Sequence, residues 1–168
     1  TALEIIEGIR KPDGGAVTVA GVDAIADSDA ALRHLGVQLQ SQGLPASMTV
    51  GEAMAFFCRY RGCSEDRAIL ERFDLLPHSR KAWRSLSGGL QRRLSLALAL
   101  AGDPDILILD EPTAALDVES RRLLHDLIRE ARARGLTILL ASHDMAEVEQ
   151  LADRVLVLVS GRVAALGS

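Results

Sequence analysis

Short aliphatic runs alternate with longer amphipathic stretches over the second half of the chain. The aliphatic runs occupy residues 105–109, 136–141, 155–159 and 162–166. The stretches between them have the apolar spacing of helices, over residues 88–101, 118–134 and 144–152. Strands that are apolar along their whole length and are separated by helices are typical of a parallel sheet covered on both faces. The pattern therefore predicts an α/β fold.

The first part of the chain predicts shorter elements. Aliphatic positions before Gly8 predict a buried helix, and residues 12–15 supply a turn. Residues 16–22 predict one strand and residues 35–39 a second, with a short helix in the Asp- and Ala-rich segment between them.

A helical subdomain is predicted next, because from Thr49 to about Arg80 the pattern becomes amphipathic. Its core candidates are the large apolar residues Met54, Phe56, Phe57, Ile69, Leu70 and Phe73. Together with the following helix it spans residues 49–101, inserted between two parts of a core domain at residues 1–48 and 102–168.

Composition narrows the classes of protein. The 168 residues are 48% apolar and 25% charged, which fits one globular domain. A net charge of -4 without any polybasic block does not favour nucleic acid as a partner. Cys58 and Cys63 have no zinc-site spacing, and no apolar run approaches the roughly 20 residues that span a bilayer. Because residue 1 is Thr, we expect the natural N-terminus to be absent.

The segment ILILDEP, residues 106–112, ends an aliphatic run with two adjacent carboxylates, Asp110 and Glu111. In open α/β sheets ligands bind at the carboxyl ends of the strands. An acid there can hold Mg²⁺ on nucleotide phosphates while the next acid orients water. The alternative, a buried strand whose acids only cap the next helix, is equally open for this segment alone.

The segment LSGGLQ, residues 86–91, sets a hydroxyl and two glycines before a predicted helix. Without Cβ atoms, Gly88 and Gly89 let backbone N–H groups approach an anion, and the helix dipole favours negative charge at the same place. An ordinary helix start capped by Ser87 is the alternative.

These motifs together resemble the ATP-binding cassette (ABC) ATPases. After its phosphate loop, that family has a strand-end Gln, the LSGGQ signature, an aliphatic strand ending in Asp-Glu, an Asp-containing loop and a strand-end His. The corresponding residues here, in this order, are Gln40, Ser87, Gly88, Gly89, Asp110, Glu111, Asp117 and His143. Leu90 departs from the family, which usually has Gln there.

The resemblance implies a P-loop NTPase-like (RecA-like) parallel sheet with an inserted helical signature subdomain, and ATP and Mg²⁺ as ligands. It implies that Asp110 holds Mg²⁺ through water, that Glu111 polarises the attacking water and that His143 contacts the γ-phosphate. Gln40 would link Mg²⁺ and water to the inserted subdomain. The signature and Asp117 would serve nucleotide binding.

One family element does not occur in the sequence. The phosphate loop, G-x-x-x-x-G-K-[ST], should precede the first helix, but Lys11 and Lys81 are the only lysines and neither follows a glycine. Aligned with the family, Thr1 comes directly after the Mg²⁺-binding Ser or Thr of that loop. The strands before the loop would then also be lost, and with them the aromatic residue that stacks on adenine. One lost strand is central in the family's sheet, so we expect either a closed gap or unpaired strand edges.

The function implied is the ATP-hydrolysing subunit of a membrane transporter, at the cytoplasmic face of the membrane. Its partners would be a second ATPase subunit, equal or different, and transmembrane permease subunits. Residues 35–62 look most like the cassettes of drug and lipid exporters of the ABC-2 type. Two alternatives stay open, a soluble ABC protein of translation or DNA repair and a partner that only donates its signature without hydrolysing ATP.

Overall fold

The computed structural model describes residues 2–38, 43–64, 67–114 and 116–167. The helices are α1 (Ala2–Ile6), α2 (Ser28–Arg33), α3 (Val50–Arg61), α4 (Arg67–Arg72), α5 (Gly88–Leu100), α6 (Val118–Ala133) and α7 (Met145–Leu151). The strands are β1 (Thr18–Val19), β2 (Val22–Asp23), β3 (Leu35–Gln38), β4 (Ile106–Asp110), β5 (Thr137–Ala141), β6 (Val155–Val159) and β7 (Arg162–Gly167). Single 3₁₀ turns lie at Leu76–His78 and Trp83–Ser85.

A parallel sheet with the order β3-β4-β5 forms the centre of the molecule. The middle strand β4 is the most apolar, and its Leu107, Ile108 and Leu109 are completely buried. It pairs with β5 from Ile106 opposite Thr137 to Asp110 opposite Ala141. The predicted α/β fold with a parallel sheet is confirmed, and the carboxyl ends of β4 and β5 lie side by side.

Each face of this sheet has its own apolar core. On one face, Leu107 and Leu109 pack with buried residues of α3, α4, α5 and α6. On the other, Leu35 and Ile108 pack with Val19, Ala31 and side chains of α1. The helices of residues 49–101 thus share a core with the sheet, and the predicted subdomain boundaries stay a prediction.

The helical segment has clear start and stop signals. Thr49 forms a capping box with Glu52, since each side chain accepts a hydrogen bond from the other residue's backbone N–H. Five of its six predicted core residues are buried or packed on the core, but Phe56 is wrong, because 58% of it is exposed. The buried face of α3 is formed by Val50, Ala53, Met54 and Cys58, and Phe56 lies outside it.

The prediction of one strand over residues 16–22 is wrong. The segment forms the two-residue strands β1 and β2, which pair antiparallel, with Val19 opposite Val22. Between them, Ala20 and Gly21 have φ values of 49° and 85°. Positive φ at both central positions is characteristic of a type I′ hairpin turn, so this glycine bends the chain back.

The closing strands also depart from the predicted covered sheet. β6 and β7 form an antiparallel hairpin of their own, and Leu156, Leu158 and Val159 are each at least half exposed. Within the described residues, β5 pairs with β4 alone. The other edge of β5 is therefore open there.

None of the helices among the described residues is both long enough and apolar enough to cross a membrane.

A close approach between β3 and α5 yields a test of the packing. A Cβ atom at Gly36 would lie 2.1 Å from the backbone oxygen of Ala99 and 2.9 Å from Pro104 Cγ. Because backbone cannot move aside cheaply, we expect Gly36→Ala to lower the free energy of unfolding by about 3 kcal/mol. Urea unfolding followed by circular dichroism measures the change. Gly14→Ala is the matched control, since its Cβ meets nothing within 4 Å, and it should stay within about 1 kcal/mol of the wild type. Equal effects of the two variants would contradict this packing.

Candidate functional site

The carboxyl ends of β4 and β5 carry three of the predicted site residues. Asp110 is the last residue of β4, and Glu111 follows it. The backbone N–H of Glu111 donates to Ala141 O at 2.9 Å, which extends the pairing one residue past the strand. Glu111 has a φ of 48°, in the left-handed region that costs a non-glycine residue energy. This turn directs the Glu111 side chain toward the end of β5.

Glu111 and His143 form a direct pair. Glu111 Oε1 lies 2.7 Å from His143 Nδ1. The His143 side chain is 84% exposed, whereas that of Glu111 is 18% exposed. The hydrogen bond to Glu111 is the main cause that raises the pKa of His143 above its ordinary value, and the negative charge of Glu111 adds to it. The pair therefore joins a mostly buried carboxyl group to a solvent-exposed imidazole.

Asp110 is an acid at this edge without a side-chain partner among the described residues. Its carboxylate makes no hydrogen bond or ion pair with any other described residue. Glu7 directly follows α1, and its pKa is raised mainly by burial and next by the nearby charge of Asp110. Sequence analysis missed Glu7, whose only signal is an acid among the aliphatic residues of the first helix.

Asp110 has the chemistry of a ligand for magnesium on a nucleotide. Among the described residues there is no group of three or more His, Cys, Asp and Glu side chains that could hold a metal. Mg²⁺ commonly takes only one or two carboxylates and completes its shell with water and substrate phosphates. The free carboxylate of Asp110 fits that requirement.

The signature segment begins α5, and its two glycines differ. Ser87 is the N-cap residue, whose hydroxyl accepts from Leu90 N at 3.3 Å. A Cβ at Gly88 would meet nothing within 4 Å, so this residue presents bare backbone to the surface. A Cβ at Gly89 would lie 2.6 Å from Ser120 Oγ, so this residue faces its own chain. Only Gly88 is placed for the close approach of another molecule.

Asp117 is tied to the signature through Ser120. It caps α6, accepting hydrogen bonds from the backbone N–H of Ser120 at 2.9 Å and from its hydroxyl at 2.8 Å. The backbone bond is the main cause that lowers the pKa of Asp117, followed by the hydroxyl bond. The same hydroxyl is the group that abuts Gly89.

One ion pair joins the amino ends of α6 and α7. Arg121 Nη1 lies 3.2 Å from Oδ2 of Asp144, the residue that caps α7 and follows His143.

The predicted site residues lie in two groups. Asp110, Glu111 and His143 form one group, and the signature and Asp117 form the other. The predicted strand-end Gln40 lies outside the described residues.

A buried polar cluster lies behind the pair, and sequence analysis did not find it. Glu147 of α7 is 2% exposed, and it interacts with Thr113, His125 and Ser142. In the sequence, Glu147 is only an acid near the start of a predicted helix. Acids at such positions are common on solvent-exposed helix faces, so nothing indicated that this one is buried. A cavity of about 280 Å³ lies at the opposite edge of the sheet, beside Asp105 and Leu136, and none of the predicted site residues that the structure describes lines it.

Comparison with known proteins places this chain in a family. The sequence profile of the family described as ABC transporter matches residues 1–114. The Nod factor export ATP-binding protein I of Burkholderia orbicola is 38% identical over 174 residues, covering 100% of this chain and 57% of that protein. The human retinal-specific phospholipid-transporting ATPase ABCA4 is also 38% identical over 174 residues, covering 100% of this chain and 8% of that protein. The chain thus spans a little over half the length of the first relative.

Solved structures give the same result for the fold. The ATP-binding subunit of an ABC transporter superposes with a TM-score of 0.89 at 25% identity, over 99% of this chain and 72% of that one. A second ATP-binding cassette superposes with a TM-score of 0.84 at 24% identity, over 99% and 74% of the two chains. The chain therefore belongs to the ABC transporter family and has the fold of its ATP-binding subunits.

Proposed function

We propose that this chain is the catalytic part of a subunit that hydrolyses ATP to drive export across a membrane. The observation that supports it most is the contact between Glu111 and His143 at 2.7 Å, beside the unengaged Asp110, at the carboxyl edge of a parallel sheet. Phosphoryl transfer to water requires three groups. These are a carboxylate that orders the water, an imidazole N–H that donates to phosphate and a second carboxylate for Mg²⁺.

The proposed roles follow from the environment of each side chain. Asp110 would hold Mg²⁺ through water, and the ion would neutralise charge that develops on the phosphates. Glu111, held by its turn beside β5, would orient the attacking water and accept its proton. His143 would leave Glu111 and donate to the γ-phosphate, a movement that its exposure permits. We also propose that Gln40 links Mg²⁺ and water to the inserted subdomain and that Asp117 serves nucleotide binding.

The signature would act on a nucleotide held by a second subunit. The bare backbone at Gly88, at the amino end of a helix of 13 residues, offers N–H groups and a positive dipole to a phosphate. The phosphate loop, whose pattern is not present in residues 1–168, would come from polypeptide outside this range. Two such subunits would enclose ATP between the phosphate loop of one and the signature of the other.

The partners and location are part of the same proposal. The subunit would bind permease subunits at the cytoplasmic face of the membrane, and the relatives named for Nod factor export and for phospholipid transport support export. A soluble ABC protein and a non-hydrolysing signature donor are the alternatives. No contact among the described residues favours either, and the Glu111–His143 pair supports hydrolysis over the second.

Substitution of the proposed base tests hydrolysis. In the complete gene-encoded polypeptide that contains these residues, Glu111→Gln should lower ATP turnover about 10²–10⁴-fold, because an amide cannot accept the proton from water. ATP binding should persist, and ATP should then hold the subunits as a dimer on size-exclusion chromatography.

The matched control is Glu149→Gln on the exposed face of α7, which should leave turnover unchanged. Residues 1–168 expressed alone define the background, because they contain no phosphate loop. Near-normal turnover by Glu111→Gln, without an ATP-dependent dimer, would remove Glu111 from this role.

The Glu111–His143 pair makes a second prediction, on proton binding. Because the folded protein raises the pKa of His143 from 6.5, the pair stabilises the fold fully below that ordinary pKa, and this contribution is lost as pH rises through the raised pKa. NMR titration of the imidazole should show the raised pKa in the wild type and a return toward 6.5 in Glu111→Gln. Glu149→Gln should leave it raised. An identical titration in all three proteins would mean that the pair does not form in solution.

The signature glycine makes a third prediction, on which subunit is affected. Gly88→Asp adds bulk and negative charge where the backbone is bare, so it should block the nucleotide of the facing subunit. In a tagged dimer with one mutant subunit, the normal subunit's own ATP should stay unhydrolysed while the mutant subunit still binds nucleotide. Site-resolved crosslinking of an azido-ATP analogue before and after turnover distinguishes the two sites.

Gly89→Ala is the comparison, because its Cβ displaces Ser120 of its own chain and should disturb Asp117 there. Combining it with Ser120→Gly removes the displaced side chain and should undo that clash. If the Gly88→Asp subunit's own nucleotide is the one that stays unhydrolysed, the signature acts within its own chain and the two-subunit arrangement is wrong.

A further inference from the structure

Glu147 carries a buried carboxylate in which both oxygens have hydrogen-bond partners. Its Oε1 accepts from the Thr113 hydroxyl at 2.7 Å and lies 3.1 Å from His125 Nε2. Its Oε2 accepts from the Ser142 hydroxyl at 2.6 Å. Thr113, His125 and Glu147 are each no more than 4% exposed. A buried carboxylate without hydrogen-bond donors is strongly destabilising, so these bonds stabilise the fold around it.

The direction of the bond from Ser142 follows from its surroundings. The Ser142 oxygen already accepts from Asp144 N at 3.1 Å, which leaves its hydroxyl hydrogen for Glu147. His125 Nε2, 3.1 Å from Oε1, donates to the carboxylate when that nitrogen carries a hydrogen. Glu147 therefore contacts three different segments, the loop after β4, helix α6 and the loop after β5.

The two loops that Glu147 joins are those that carry the proposed catalytic groups. Thr113 is two residues after Glu111, and Ser142 directly precedes His143. Above this cluster, the loops are also joined by Glu111 N to Ala141 O and by the Glu111–His143 contact. The side-chain contact is exposed on the His143 side, whereas the Glu147 cluster is buried.

We propose that Glu147 is a positioning residue, which holds the two loops that carry Glu111 and His143 at a fixed spacing through Thr113 and Ser142. This inference rests on the proposed hydrolysis. When His143 leaves Glu111 for a phosphate, their direct contact is broken, and the buried cluster remains to keep the two loops in register. Its loss should misplace both groups without removing either, and a misplacement of about 1 Å can cost about a hundredfold in rate.

The experiment is a double-mutant cycle in the complete gene-encoded polypeptide. Thr113→Val and Ser142→Ala each delete one hydroxyl with little change in volume. Each should lower kcat about tenfold to a hundredfold, with the Kd for ATP unchanged. Because either change cuts the same connection, the double variant should lose no more than the worse single variant. Glu147→Gln should resemble the double variant. Thr137→Val, at an exposed position of β5, is the matched control and should keep the wild-type kcat.

NMR of the His143 imidazole separates positioning from loss of stability. Cutting the cluster should let the pKa of His143 fall toward its ordinary value, as the pair with Glu111 opens, while thermal unfolding shows the variants folded at the assay temperature. Unchanged kcat, additive losses, or a loss that follows the folded fraction would each overturn the proposal. Absence of ATPase activity in the wild-type polypeptide would instead overturn the proposed function, and the histidine titration would still test the spacing.

Discussion

Parallel pairing of β4 with β5, in the register that sets Asp110 opposite Ala141, is the constraint on which the site depends. A register shift of one residue would turn alternate side chains to the other face and move the ends of the strands apart. The pairing continues past the last strand residue through the N–H of Glu111, so the first residue of the loop is held by the sheet. The apolar residues of β4 stabilise this register, since Leu107 and Leu109 serve one core and Ile108 the other.

Much of this arrangement could be predicted from periodicity alone. The three parallel strands and the helices α5, α6 and α7 follow from long aliphatic or amphipathic runs with capping residues at Ser87, Asp117 and Asp144. The β1–β2 hairpin could not, because the apolar positions of residues 16–22 also fit one strand and only the conformations of Ala20 and Gly21 separate the two. Phe56 was misassigned because, in a helix with apolar residues on several sides, tertiary contacts decide which side is buried.

The site could be predicted as a set of residue types but not as a set of contacts. Motif order placed Glu111 and His143 at neighbouring strand ends, yet no spacing implied that they touch. The difference between Gly88 and Gly89 depends on Ser120, which is far away in sequence. Glu147 was invisible for the same reason, since an acid in a short helix becomes a buried acceptor only when Thr113, His125 and Ser142 converge on it.

The left-handed backbone at Glu111 places stability and the proposed hydrolysis in opposition. Asparagine and glycine adopt that conformation at lower cost than glutamate, so either would suit the folded chain better at this one position. Neither carries a carboxylate. Selection for thermal stability alone would therefore act against Glu111. Stabilisation of this protein that keeps the proposed hydrolysis has to leave residue 111 unchanged.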